Sequence, residues 1–331
     1  MTLDLSLSVG DMDTVQPLLT GEVEPEGIDL TPISEYPPKR HRRFFRHGEF
    51  DICEVCIASY VSSMAEGEDF PYTAIPVFPN RKYRLAFFYK NAAAGIEEPK
   101  DLEGKKVGTQ SWQTTADVWV RGISQEHYDL DLTEVEWFRR REDDVPVELP
   151  EKFDIQRVPG KQGGDAIYEP RDMQDMLFSG ELDAAMDPSG SMFRAVCRND
   201  EAEFMFEDPQ AQEIAFYEKT GMHPPMHTVA IRDEVLEEDP WVAISVYDAF
   251  SEALEKCIQR NVSPSSHTSL TWNHLHYKEQ HEILGEDAWE YGLRPKTRKE
   301  LRTFVGYAKD QGLIDREYDV EELFFETTLD L

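Results

Sequence analysis

The chain has 331 residues, 66 of them acidic and 34 basic, for a formal charge of −32. A length beyond the usual single core predicts about two domains, and an acid excess of this size excludes nucleic acid as a partner. Four cysteines are too few for a disulfide scaffold in so long a chain, which fits a reduced compartment, and no apolar run is long enough to span a bilayer. The first residues, Met1-Thr2-Leu3-Asp4-Leu5, alternate in polarity like a strand rather than an export signal, so a cytoplasmic location is expected. Acid clusters at 66–69, 142–144, 237–239 and 317–322 suit a protein of a salt-accumulating halophile, because molar salt shortens the Debye length to about 3 Å.

In chain order, residues 3–9 read as a strand and Gly10-Asp11-Met12-Asp13 as a turn before a short helix at 14–19. A strand at 29–32 precedes a helix bearing Lys39, Arg40, Arg42, Arg43 and Arg46. A strand then opens at Ile52, followed by a helix with Ser59, Tyr60 and Met64. Residues 70–78 are rich in Pro and aromatics, and 84–89 read as an apolar strand. Residues 101–108 form a turn feeding a strand, and a helix begins at Thr114-Thr115 with Ala116, Trp119, Val120 and Ile123 on one face. Strands follow at 135–138 and 155–158, separated by an acidic surface insertion at 141–150. A strand at 227–232 leads into a mostly helical region, 233–292, in which Pro240-Trp241 opens a long helix. A last helix covers 297–312.

One device occurs twice. Phe45-Arg46-His47-Gly48-Glu49-Phe50-Asp51 reappears as Leu177-Phe178-Ser179-Gly180-Glu181-Leu182-Asp183, each copy reading as a helix end, a turn and a new strand. Two half-similar α/β units follow from this. Ligands of open α/β sheets sit outside the carboxyl ends of strands, so the spans 54–60 and 187–191 are expected on opposite walls of one cleft.

Site candidates come from that placement. Arg81 and one of Arg42 or Arg43 are expected to hold a carboxylate, since a guanidinium offers a planar fork of donors. Thr114, Thr115 and the free N–H groups of their helix are suited to an anion, with ordinary N-capping as the alternative. Ser59 and Asp187 are the remaining wall residues. His227, which opens a strand and titrates near neutrality, is the candidate acid or base. Glu54, at the strand end after the first repeat, is a candidate for deprotonating a ring hydroxyl, or else a capping or salt-bridging carboxylate. Cys53-x-x-Cys56 has no second ligand pair of matching spacing. His274, His276 and His281 read as surface histidines, so no metal is expected.

The blocks Asp101-Leu102-x-Gly104-Lys105-x-Val107-Gly108, Met176-Leu177-x-x-Gly180-Glu181-Leu182-Asp183-Ala184 and Asp239-Pro240-Trp241 resemble the type II periplasmic solute-binding fold, in the branch of sulfonate, nitrate and pyrimidine-precursor binders. Further blocks resemble the 4,5-dihydroxyphthalate decarboxylase family: Leu7-Ser8-Val9-Gly10-Asp11, Phe50-Asp51-Ile52-x-Glu54, Ser59-Tyr60, Ile75-Pro76-Val77-Phe78-Pro79-x-Arg81, Trp119-Val120-Arg121-Gly122, Met226-His227-Thr228-Val229 and Tyr291-Gly292-Leu293. The resemblance implies a two-domain α/β protein with a hinge and an interdomain cleft, its first domain discontinuous (1–103 and 206–331) and its second at 104–205. It also implies non-oxidative removal of CO2 from a small anionic aromatic dicarboxylate to give protocatechuate, with no organic cofactor. The alternatives are a solute-binding protein of an importer, an intracellular binder without turnover, or an enzyme acting on a pyrimidine or thiamine precursor.

Overall fold

The computed structural model describes residues 2–65, 70–160, 172–263, 265 and 268–331, so the acid cluster at 66–69 lies outside the described residues. The chain divides into two units: Met1–Lys82 with Gly221–Val305 and Arg316–Leu331, and Tyr83–Thr220 with Gly306–Asp315. The second unit therefore also takes in 83–103, 206–220 and 306–315, segments expected in the first. The reason lies in strand pairing: the chain returns to the first sheet only at His227, and residues 88–91 and 202–204 hydrogen-bond within the second sheet.

The first unit is built on the strands β1 (Leu3–Val9), β2 (Ile28–Ser34), β3 (Ile52–Cys56), β4 (Tyr72–Ile75) and, after the excursion through the second unit, the strand His227–Arg232. The second unit contributes β5 (Phe88–Asn91), β6 (Lys106–Thr109), β7 (Glu136–Arg139), β8 (Asp154–Arg157), β9 (Ala184–Met186) and β10 (Ala202–Phe204), which makes His227–Arg232 β11. The first sheet has the order β2-β1-β3-β11-β4, with β1 parallel to β2 and β3, and β11 antiparallel to β3 and β4. The second has the order β10-β5-β9-β6-β7-β8, with β5 antiparallel to both neighbours and the rest parallel.

The helices are α1 (Gln16–Leu19), α2 (Pro37–His47), α3 (Ile57–Ala65), α4 (Thr115–Tyr128), α5 (Met173–Phe178), α6 (Gly190–Val196), α7 (Pro209–Thr220), α8 (Asp233–Glu238), α9 (Val242–Val262), α10 (Asn273–Leu284) and α11 (Pro295–Asp310). α2 starts where Pro37 and Pro38 occupy first-turn positions whose missing N–H groups cost nothing, and it stops at Gly48 in the left-handed region, φ 56°. Its inner face is Arg40, His41 and Phe44.

Both copies of the repeat form helix, left-handed glycine and strand: α2, Gly48 and β3 in one, α5, Gly180 (φ 76°) and β9 in the other. Their aspartates do the same work. Asp51 accepts the Ser6 N–H of β1 at 2.9 Å, and Asp183 accepts the Lys106 N–H at the start of β6, also at 2.9 Å. Each carboxylate thus pins the parallel strand beside its own.

Two expected elements differ. Residues 85–87 form a 3-10 turn, because the Ala86 N–H is taken by the Glu213 side chain and Phe87 bonds back to Arg84, so β5 begins only at Phe88. The insertion at 141–150 is not purely surface: Asp143, Asp144 and Val145 are buried, with Asp143 accepting the Gln113 N–H at 2.8 Å. Among the described residues no helix is long and apolar enough to cross a membrane.

Candidate active site

The first unit buries a charge network around Glu54, which sits in the middle of β3 and not at the strand end where it was expected. Glu54 lies opposite Val229 in the β3–β11 ladder, and His227 is two residues from Val229. The pleat therefore puts Glu54 and His227 on one face as diagonal neighbours. His227 Nδ1 hydrogen-bonds Glu54 Oε1. The other carboxylate oxygen, Oε2, accepts the Gly10 N–H at 2.6 Å and lies 3.0 Å from Arg40 Nη2. A Cβ on residue 10 would stand 3.3 Å from that oxygen and 3.5 Å from Arg40 Nη1, so glycine gives the closest backbone approach.

Arg40 is fully buried on the inner face of α2. Its Nε donates to the Glu54 carbonyl at 2.9 Å, and Nη1 to the Glu35 carbonyl at 2.8 Å. His41 follows it, with its ring edge-on to His227 (centroids 5.2 Å apart, planes at 81°) and its Nε2 3.5 Å from Arg40 Nη2.

Burial alone would raise the Glu54 carboxyl. The Arg40 charge, then His227 and the Gly10 N–H, outweigh it and hold the group down to about 2. Glu54 is thus a carboxylate at neutral pH, an acceptor only, so its hydrogen bond with His227 takes the proton on Nδ1. The side chain of His227 is 12% exposed and that of Glu54 only 1%, so the histidine is the more accessible member of the pair.

Each expected residue has a definite place. Glu54, expected to act on a ring hydroxyl, has both oxygens occupied and sits behind His227. Arg81 is not a free carboxylate holder: it is buried, donates to Glu300 Oε2 at 2.6 Å and to the His223 carbonyl at 2.9 Å, and lies 3.3 Å from Thr297 Oγ1. His223 beside it is held neutral, since burial, reinforced by the Arg81 charge, drives its pKa down to about 3, and its Nδ1–H donates to the Ala288 carbonyl at 2.9 Å. Arg43 is spent on Glu35 and Glu49 at 2.8 and 2.7 Å, and Arg42 is exposed on the outer face of α2. Ser59 lies buried in the first turn of α3 with its hydroxyl lacking a partner among the described residues. Ser8 Oγ, Tyr291 Oη and Arg81 Nε share that condition in the same unit.

Thr114, Thr115 and Asp187 belong to the second unit. Thr114 is the N-cap of α4, but its hydroxyl lies 3.0 Å from Ser111 Oγ rather than capping the helix, and Thr115 is buried in the first turn. Asp187, at the end of β9, accepts the Ser189 N–H at 2.8 Å and is raised by burial. Asp117 of α4 is raised to about 7, chiefly by burial and against the opposing pull of Arg121.

Arg40 and His41 are the site residues that the sequence reading missed. The available signal was spacing: Arg40 and Phe44 are one helical turn apart, so an arginine of the basic island shares the apolar, inward face. Cys53 and Cys56 are buried free thiols, and among the described residues no group of three or more His, Cys, Asp or Glu side chains could hold a metal ion.

The architecture defines the class. The chain superposes on the periplasmic aliphatic sulphonate binding protein SsuA from Escherichia coli (TM-score 0.56, 12% identity, all of both chains). It also superposes on the desulfurization enzyme DSZB (TM-score 0.53, 13% identity, 99% of this chain and 98% of that one). At such identities the likeness is one of fold: the two-domain fold of periplasmic binding proteins, shared by binders and by an enzyme. No protein-family model matches the chain.

Sequence carries the assignment further. The chain is 31% identical over 337 residues, covering 99% of its length and 98% of the other, to the 4,5-dihydroxyphthalate decarboxylase of Comamonas testosteroni. It is also 34% identical over 222 residues to that of Pseudomonas putida, covering 65% of this chain and 81% of the relative. The protein belongs to the 4,5-dihydroxyphthalate decarboxylase family.

Proposed function

We propose that the protein is a non-oxidative decarboxylase of a hydroxylated aromatic dicarboxylate, converting 4,5-dihydroxyphthalate or a close analogue to protocatechuate and CO2. The observation that carries the reading is the buried Arg40–Glu54–His227 network, in which an ionised carboxylate fixes the orientation of one imidazole.

The chemistry needs one proton delivered to a ring carbon. A hydroxyl para to the departing carboxylate pushes electrons into the ring as its own proton passes to water, from which the product hydroxyl later regains one. His227, as the imidazolium, gives its Nε2 proton to the carboxylate-bearing carbon and is reprotonated from water. The bond to the carboxylate then breaks, its electron pair restores the aromatic ring, and CO2 departs. Glu54 stabilises the imidazolium form and keeps the ring oriented, and Arg40 with the Gly10 N–H keeps Glu54 ionised and immobile. Ser59, whose buried hydroxyl lacks a partner among the described residues, is assigned to the carboxylate that stays. A small anionic acid is the only ligand this chemistry requires.

Turnover in D2O tests the reaction. Protocatechuate carrying one deuterium at the vacated ring position, formed with stoichiometric CO2, is the expected product. Thermal stabilisation by 4,5-dihydroxyphthalate without CO2 release would make the chain a binder on the same fold. We also infer a cytoplasmic protein adapted to molar salt, on the strength of its charge of −32. Circular dichroism unchanged between molar and millimolar potassium chloride would remove the salt inference.

A further inference from the structure

The large apolar side chains that stand exposed among the described residues are not scattered. Beyond Tyr36 and Trp241 they are Val262 (47% exposed), Leu270 (62%), Trp272 (66%) and Leu275 (64%), all at the end of α9, the start of α10 and the segment between. Such a concentration on a strongly acidic surface marks a contact site rather than chance exposure. α10 itself buries no residue, and it is tied to the end of α9 through Asn273 Nδ2, which donates to the Asn261 carbonyl at 3.1 Å, and His274 Nε2, 2.8 Å from the Ser263 carbonyl. Next to it a cleft lined by Leu254, Ile258, Leu270, Tyr277 and Trp289, among others, extends the apolar surface inward.

Charge identifies the occupant. Residues 262–278 contain no Asp or Glu, although 66 of the chain's 331 residues are acidic, and they carry His267, His274, His276 and Lys278. Residues 70–96 are also free of acid but bury large apolar side chains such as Tyr72, Phe78, Phe88 and Tyr89. Two copies of a −32 chain repel one another over most of their surface. They can approach where the acid stops and apolar groups stand out, and for each copy that place is the same.

We propose that this face is the interface of a homodimer, with the two α10 helices antiparallel across a two-fold axis near Leu275. Such an interface is self-complementary. It sets Leu275 against its counterpart, brings Trp272 toward the partner's Lys278 in a cation–π arrangement, and turns Glu279 and Glu282, which follow Leu275 on the same helix face, toward the acid-free start of the partner's α10. Lys278 now pairs with Glu282 at 2.9 Å, an exposed pair that is readily exchanged.

Sedimentation equilibrium of the full chain in molar potassium chloride tests the proposal, with Leu275→Glu, Trp272→Glu and, as a control at another exposed apolar position, Tyr36→Glu. The expected result is a wild-type dimer that tightens as salt rises, a dissociation constant raised at least about tenfold by each α10 substitution, and no change in the control, with circular dichroism alike in all four. A wild type that stays monomeric at every concentration overturns the proposal and leaves the face to some other partner. A dimer indifferent to both α10 substitutions, or one that loosens as salt rises, overturns it as well.

Discussion

The strands that follow the two Gly-Glu-x-Asp turns carry acids in opposite electrostatic settings. After Asp51, β3 bears Glu54 at its centre, a buried carboxylate pulled down to about 2 because Arg40 lies 3.0 Å away and a backbone N–H points at it. After Asp183, β9 leads to Asp187, which burial raises, and its charge adds to the burial that lifts Asp117 to about 7. The neighbouring cation Arg121 does not compensate, for its Nε donates to Gln311 Oε1 at 2.7 Å and its guanidinium stacks on Trp112 at 3.8 Å. The same backbone device thus leads to an acid in each unit, one held down by a buried arginine and the other raised by burial.

Several substitutions would break or sharpen that contrast. The largest expected effect is that of Arg40→Met, which strands a buried carboxylate: a loss of about 3–5 kcal/mol of stability, read by urea unfolding, is expected. Arg121→Met should cost less, because no ionised partner is left behind. Glu54→Gln should lower kcat by at least about tenfold, as the amide no longer supports the imidazolium, while the KM changes less. The pH dependence follows from the signs. Glu54, lowered from 4.5, gives stability that is full above its unfolded value and is lost as pH falls from 4.5 toward 2, so Glu54→Gln should flatten the acid limb of the melting curve. Asp117, raised from 3.8 to about 7, favours the folded state most below 3.8 and loses that advantage as pH rises to 7. Asp117→Asn should therefore flatten the melting temperature across that window. Arg42→Ala, on an exposed helix face, should change stability by no more than about 0.5 kcal/mol and leave turnover intact.

Much of the fold was legible because it rests on local signals. Alternating strands, the proline start and glycine end of α2, and the repeated turn all act within a few residues, and Glu54 and His227 stood out by their positions in them. What stayed hidden depends on contacts distant in sequence. Arg40 could not be told from Arg42 or Arg43 by residue type, since helical phase and a neighbour fourteen residues on decide which arginine turns inward. Arg81 looked available for a substrate because its partner, Glu300, is 219 residues away. The 3-10 turn at 85–87 arises from the Glu213 side chain, again beyond any local pattern.

The central claim is that His227, held by Glu54 and Arg40, carries the proton. CO2 release from 4,5-dihydroxyphthalate in molar potassium chloride, measured for the wild type and His227→Ala with ligand-induced thermal shifts in parallel, tests it most directly. The account predicts turnover in the wild type and a fall of about 10²-fold or more in the variant, which still binds the acid. A variant that releases CO2 at the wild-type rate would contradict it.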